Sequence, residues 1–100
     1  MASYSVSVEH ELGQTAARQR LDAFLEAALR DYASYISDVD GEWTKNRLEF
    51  RFVTSGLSIS GQLQVEESLV AVSGPLPLAA AFFRGRIEQQ IRSELLRLLS

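Results

Sequence analysis

Apolar and polar residues alternate strictly at the start of the chain, and this pattern predicts a half-buried strand over residues 4–10. Its inward residues are Tyr4, Val6 and Val8. Gly13 ends the alternation, and from Thr15 to Ile36 apolar residues recur at steps of three and four, which predicts an amphipathic helix. The expected core face of that helix comprises Ala17, Leu21, Phe24, Leu25, Ala28, Leu29, Tyr32, Tyr35 and Ile36.

The middle of the chain predicts two consecutive β-hairpins with two-residue turns at Lys45-Asn46 and Ser55-Gly56. The first turn sets Trp43 opposite Leu48, Gly41 opposite Phe50 and Val39 opposite Phe52. The second sets Ile59 opposite Phe52, Gly61 opposite Phe50 and Leu63 opposite Leu48. The two registers place the same residues inward, and this agreement supports both.

Phe50 is thereby expected between two glycines of the neighbouring strands, Gly41 and Gly61. Two structural interpretations remain open at this point. The ring can lie flat over bare backbone, which compensates for glycine in a strand. Alternatively, the glycines bend the sheet where a helix crosses it.

The last third of the chain predicts one more hairpin and a long closing helix. A turn at Glu66-Glu67 leads into a strand with Val70 and Val72 inward, and Pro75 and Pro77 end that strand. A helix is expected from about residue 78 to residue 99. Its core stripe is Ala80, Phe83, Ile87, Ile91, Leu95 and Leu98.

These elements form a single domain over residues 1–100 with the order β-α-β-β-β-β-α. The residues expected on the other face of the sheet are polar, so both long helices belong on the apolar face, as in a two-layer α+β fold. That polar face comprises Ser5, Ser7, Glu49, Arg51, Ser58, Ser60, Gln62 and Gln64. We expect an antiparallel sheet of order 1-5-4-3-2, in which the first strand covers the edge left by the last.

Composition narrows the functional classes. The chain has no cysteine, which excludes disulfides, thiolate metal sites and a cysteine nucleophile and favours a cytoplasmic location. No apolar run is long enough to span a bilayer, and the first residues do not have the pattern of a signal peptide. The net charge of −3 and the lack of outward aromatic residues on the sheet argue against nucleic-acid binding.

Candidate catalytic and metal-binding residues are few. His10 is the only histidine, and because strand alternation places Glu9 and Glu11 on the opposite face, we expect a structural role rather than general-base catalysis. Asp38 and Asp40 lack a third acidic partner and are expected in a solvated turn. Tyr32 and Tyr35 are expected to pack in the core. The sequence therefore predicts no catalytic residue, no metal site and no cofactor, and a protein that is not an enzyme.

The chain resembles the polyhydroxyalkanoic acid system family, which comprises short bacterial proteins encoded near genes of polyester granules. The resemblance covers nearly the whole chain. It rests on residues 8–13 (VEHELG), residues 16–18 (AAR), Trp43, residues 61–65, Leu76, and the closing helix with Phe83, Arg86, Ile87, Glu88 and Ile91. This sequence departs from the family pattern at residues 44–46, where a Gly-Asp turn is more typical. Its Pro75-Leu76-Pro77 segment is also distinctive. The resemblance implies a role in polyester storage and supplies no catalytic residues.

The order of elements also resembles the minimal helix-grip fold, in which a long C-terminal helix lies across a curved sheet. Larger relatives of that shape hold apolar ligands between helix and sheet, so a binder of a small apolar ligand is the alternative to an accessory interaction protein. A hollow between the closing helix and the sheet would favour the binder.

The closing helix carries a second apolar stripe that one sheet cannot cover. Its members are Leu78, Phe82 and Leu96. Arg84, Arg86 and Arg92 could form its rim, with their aliphatic stems over the edges. One interpretation is that the first turn is irregular after Pro77, so that Phe82 tucks under the neighbouring helix. The other is a contact surface for a homodimer, or for a polyester granule or granule protein.

Overall fold

The computed structural model describes residues 3–31, 33–54 and 56–100 and confirms the predicted α+β order of elements within them. The strands are β1 (Ser3–Glu9), β2 (Ile36–Thr44), β3 (Arg47–Thr54), β4 (Leu57–Val65) and β5 (Leu69–Pro75). The helices are α1 (Gln14–Asp31) and α2 (Arg84–Leu99), and a short 3-10 helix (Leu78–Phe83) precedes α2.

All neighbouring strands are antiparallel, and the sheet has the predicted order β1-β5-β4-β3-β2. Most of the predicted pairs are present, on either side of the turn at Lys45-Asn46 and of the pairing of Thr54 with Leu57. The confirmed pairs are Trp43 with Leu48, Gly41 with Phe50, Phe50 with Gly61, Leu48 with Leu63 and Phe52 with Ile59. The hydrophobic alternation was therefore sufficient to fix the register of β3 between its neighbours.

The predicted pairing of Val39 with Phe52 is wrong, because β2 contains a bulge. Ser37 pairs with Val53 and Asp40 with Arg51, so that two residues of β2 oppose Phe52 alone. Asp38 adopts a φ of 50° there, a left-handed conformation that Asp tolerates better than most residues. As a result, Val39 is exposed rather than inward.

The turns differ from the prediction in detail. The positive φ of the first hairpin turn, 58°, belongs to Lys45, although asparagine, the next residue, tolerates such a conformation more readily. In the third hairpin Val65 pairs with Val70, and the Glu66 backbone N–H donates to Leu69 O at 2.7 Å, so the turn is centred on Glu67-Ser68. Ser55, predicted in the second turn, lies outside the described residues, while Gly56 has the expected positive φ.

The core lies between one face of the sheet and the two helices. Its buried apolar residues are Tyr4, Val6, Val8, Ala17, Leu21, Leu48, Leu63, Val65, Val70, Val72, Leu76, Ala80, Leu95 and Leu99. They confirm the inward faces predicted for β1 and β5 and part of each helical stripe. Polar side chains line the other face of the sheet, which is solvated as predicted.

The first helix is shorter than predicted. It ends at Asp31, and Ile36 is already the first residue of β2, where it pairs with Thr54. The Thr54 hydroxyl donates to Tyr35 O at 3.0 Å, so the segment before β2 is held by β3. Tyr35 is consequently exposed rather than in the core. Leu29, near the end of α1, is exposed as well, and the prediction for Tyr32 falls outside the described residues.

The closing helix protects the edge of the sheet at β1. Ser5 N–H donates to Glu88 Oε2 at 2.8 Å, and the Arg92 guanidinium donates to Ser7 O at 3.0 Å. Arg20 of α1 donates to Leu98 O and Ser100 O, which ties the two helices together at the end of α2. Side chains of α2 thus satisfy backbone groups that an edge strand would otherwise present to another chain.

Candidate functional site

A short 3-10 helix builds the most exposed apolar surface of the described chain. It begins after Pro77, whose carbonyl accepts a hydrogen bond from Ala80 N–H at 2.9 Å. Leu76 and Ala80 are buried and anchor the segment to the core. Because a 3-10 helix has three residues per turn, its side chains do not continue the stripe that the α-helical period of 3.6 predicts.

Leu78, Phe82 and Phe83, here called the apolar tip, project away from the core. Their exposed fractions are 86%, 96% and 53%, respectively. The prediction that Phe83 lies in the core stripe is therefore wrong. The alternative prediction for Phe82 is half right, since the first turn is irregular as expected but Phe82 does not tuck under the neighbouring helix.

The arginines predicted to rim the surface have different environments. Arg84 Nε lies 3.6 Å from Glu88 Oε2, and Arg92 donates to the β1 edge through Ser7 O. Arg86 is exposed and forms no ion pair or hydrogen bond with any described residue. Arg84 and Arg86 therefore directly follow the apolar tip in sequence, whereas Arg92 binds the backbone of the β1 edge.

Leu96, which was predicted to share the surface, is exposed but lies apart from the apolar tip. It lies twelve positions after Arg84 in α2, which corresponds to roughly 18 Å along the helix axis. The intervening positions on that face, Gln89 and Ser93, are polar and exposed. The structure thus concentrates the exposed apolar surface at the start of α2.

His10, the one candidate base, has a structural role in its surroundings. The ring is buried, its Nδ1 accepts a hydrogen bond from Leu12 N–H at 3.2 Å, and its Nε2 lies 3.1 Å from Glu66 O. Because Nδ1 is an acceptor, Nε2 must carry the proton and donate to that carbonyl. Nε2 thus connects the end of β1 to the β4–β5 turn, while Nδ1 holds the segment that follows β1.

The acidic candidates are not gathered into a site. Asp38 and Asp40 are exposed on β2, at the bulge and just after it. No group of three or more histidine, cysteine or acidic side chains able to hold a metal ion occurs among residues 3–31, 33–54 and 56–100. Neither of the two described α-helices is long and apolar enough to cross a membrane.

Two shallow hollows lie elsewhere on the described surface. The larger, about 360 Å³, is lined by residues of β3, β4 and β5, including the outward-facing Glu49, Gln62 and Ser73. It does not lie between α2 and the sheet, where the helix-grip resemblance places a ligand. The smaller, about 190 Å³, is lined by Thr15, Arg18, Gln19, Asp22 and Asn46.

Sequence reasoning missed the smaller hollow because its residues come from distant parts of the chain. The four-residue spacing of Arg18 and Asp22 places them on one side of α1. Their contact with Trp43 depends on how α1 packs beside the β2–β3 hairpin, which the sequence pattern does not specify.

Comparison with known proteins gives one match. No curated protein and no solved structure matches the chain. A family model described as a putative polyhydroxyalkanoic acid system protein matches residues 5–99, which is nearly the whole chain and includes both helices and the strands between them. The chain therefore belongs to the polyhydroxyalkanoic acid system protein family.

Proposed function

We propose that this protein is a non-enzymatic accessory of polyester storage that attaches to the surface of polyhydroxyalkanoate granules in the cytoplasm through its apolar tip. The observation that carries the proposal is the exposure of Leu78 and Phe82, two large apolar side chains of one 3-10 helix held out from the core. Exposed groups of this kind mark interaction sites. Family membership supports a polyester granule as the partner.

The shape of the tip suits a continuous apolar surface better than a second copy of the chain. Three aromatic or aliphatic side chains bury at most a few hundred Å², whereas a stable interface buries about 800 Å² per partner. A symmetric contact through the tip would also bring Arg84 and Arg86 of both copies together, and like charges oppose such pairing. At a granule surface the same arginines extend toward water while their stems cover the edge of the tip.

The expected attachment is weak and reversible. Full burial of one large apolar side chain contributes about 1.5–3 kcal/mol, so three partly exposed side chains contribute only a few times that amount. Binding of this strength resembles that of a single lipid anchor, which holds proteins at membranes only marginally. Many copies could therefore coat a granule and exchange with free protein.

The surroundings of the candidate base support the non-enzymatic part of the proposal. Both nitrogens of His10 are engaged by backbone groups, so neither is available to take a proton from a substrate without loss of a structural hydrogen bond. This use of the ring is typical of a residue that fixes a strand end.

Co-sedimentation with purified polyhydroxyalkanoate granules tests the proposal. The double variant Leu78→Ser with Phe82→Ser removes the two most exposed apolar side chains and should lose most granule binding. Because neither side chain packs in the core, its circular dichroism and thermal unfolding should match those of the wild-type protein. The matched control is Leu96→Ser, which removes an exposed apolar side chain about 18 Å further along α2 and should bind as the wild type does.

Two results would contradict the proposal, and the measurements tell them apart. A folded double variant that binds granules as well as the wild-type protein would exclude the tip as the attachment site. A wild-type protein that is dimeric by light scattering, binds no granules and becomes monomeric on loss of the tip would instead assign the tip to self-association.

A further inference from the structure

Arg18 and Trp43 form a cation–π pair at the edge of the smaller hollow. The Arg18 guanidinium carbon lies 4.6 Å from the centroid of the Trp43 ring. The Trp43 indole N–H donates to Asp22 Oδ1 at 3.3 Å. Stacking and this hydrogen bond hold the two side chains in place, so the guanidinium is positioned before any ligand arrives.

The hydrogen-bonding capacity of Arg18 is not used by the described chain. Its Nε is buried and has no hydrogen-bond partner there, and its guanidinium forms no ion pair with any described acid. A buried donor without an acceptor is costly, and native proteins rarely leave one unsatisfied. The two Nη groups of Arg18 also donate to no described residue, so they remain free to bind an acceptor from a ligand.

The hollow beside Arg18 supplies further polar groups from two separate elements. Thr15 and Gln19 come from α1, and Asn46 comes from the β2–β3 turn. A hydroxyl and two side-chain amides can each donate to an anion. The volume of about 190 Å³ is suitable for a ligand of only a few heavy atoms.

We propose that this hollow binds a short-chain monocarboxylate, with the carboxylate on the Arg18 guanidinium. The planar guanidinium donates two parallel hydrogen bonds to a carboxylate, a geometry that an ammonium group cannot provide. Asp22 lines the same hollow and adds a negative charge, which disfavours a phosphate dianion relative to a monocarboxylate. This site is independent of the apolar tip.

Trp43 is the only tryptophan of the chain, so its fluorescence reports directly on the Arg18 environment. Titration of the wild-type protein with sodium butyrate should change this fluorescence saturably, beyond the effect of sodium chloride at equal ionic strength. Inorganic phosphate should bind more weakly. Arg18→Lys keeps the charge and most of the stem but loses the planar fork, and should weaken butyrate binding about tenfold or more. Arg86→Lys, an exposed arginine elsewhere, is the matched control and should leave binding unchanged.

A second measurement keeps the test independent of variant folding. Butyrate should shift the amide resonances of Thr15, Gln19 and Asn46 in the wild-type protein, in nuclear magnetic resonance spectra. The proposal is overturned if butyrate gives no saturable change, if the shifts map elsewhere, or if folded Arg18→Lys titrates as the wild type does. Tighter binding of phosphate than of butyrate would refute the assignment of a monocarboxylate.

Discussion

At the scale of single residues, Gly61 lies where two aromatic rings meet over bare backbone. A Cβ built on Gly61 would collide with the Tyr4 hydroxyl, approach Phe50 Cζ to 2.9 Å and approach Ser73 O to 2.7 Å. The Tyr4 hydroxyl crosses the neighbouring Gly74 and donates to Ser60 O at 3.0 Å. Of the two interpretations for the strand glycines, coverage by a ring therefore holds at Gly61.

Alanine at Gly61 should destabilise the fold strongly. Two rings and a backbone carbonyl would have to move, and overpacking of this kind costs about 1–3 kcal/mol or more. The matched control is Gly41→Ala on the other side of Phe50, where the nearest atom to the added Cβ is Leu48 Cδ1 at 3.6 Å. Urea denaturation should show a change within about 0.5 kcal/mol for that control. Equal losses for the two variants would contradict the crowding at Gly61.

Tyr4 should make the fold sensitive to alkali. Burial disfavours the phenolate and raises the pKa of Tyr4 from 10.0 to about 12. As pH rises above 10 the unfolded chain ionises this group before the folded chain does, so stability is full below pH 10 and is lost progressively up to about pH 12. Urea denaturation on both sides of pH 10 should show a steeper loss for the wild type than for Tyr4→Phe. Parallel pH profiles would be inconsistent with a buried phenol.

The positions of Phe50 and Tyr4 beside Gly61 differ in how far the sequence predicts them. The position of Phe50 beside Gly61 follows from hairpin register, because two short turns and strict alternation leave little freedom. The position of the Tyr4 side chain, which reaches across Gly74 from β1, does not follow from that register. It depends on the long-range pairing of β1 with β5 and on the reach of the tyrosine side chain.

At the scale of elements, apolar periodicity identifies each helix but not its ends. The predicted first helix ran to Ile36, yet this residue pairs with Thr54, because ladder hydrogen bonds to β3 compete successfully with helix extension. The predicted closing helix began at Leu78, yet residues 78–83 form a 3-10 helix after Pro77. This change of period is what places Phe83 outside the core.

Gly85 offers a test of helix energetics just after the apolar tip. It lies in the first turn of α2 with a negative φ, and an added Cβ would meet no atom within 4 Å. Gly85→Ala should therefore stabilise the protein by roughly 0.5–1 kcal/mol, because glycine loses more backbone entropy in a helix. Granule binding should not change.

Gly56 is the matched control for this substitution, because a Cβ there would also meet open space while φ is 75°. Gly56→Ala should destabilise the protein by about 1–2 kcal/mol, the cost of a left-handed conformation for an L-residue. Thermal unfolding distinguishes the two directions. Destabilisation by Gly85→Ala would mean that the start of α2 is not helical in solution.

At the scale of the whole molecule, the sheet order and the layering follow from sequence because one face of most strands is polar and the edge of β5 needs cover by β1. Exposure of Leu78 and Phe82 was one of two outcomes that the helical wheel allowed. The distance between Leu96 and these residues could not be seen on the wheel. A helical wheel shows only the angle of each position, so residues about 18 Å apart along the axis can appear side by side.

The response of granule binding to salt separates apolar attachment from electrostatic attachment. The whole chain carries a net charge of −3, so general attraction to an anionic surface would not favour binding. If the tip inserts by apolar contact, raising sodium chloride from about 0.1 M to 1 M, which shortens the Debye length from roughly 10 Å to 3 Å, should leave binding unchanged or strengthen it. Replacement of the two arginines beside the tip, Arg84→Gln with Arg86→Gln, should then have a smaller effect than loss of Leu78 and Phe82.

Co-sedimentation with granules at both salt concentrations measures the binding of the wild-type protein and of each variant. Binding that falls steeply with salt and disappears in the arginine variant would show instead that the arginines hold the protein on an anionic granule coat, with the exposed phenylalanines contributing little.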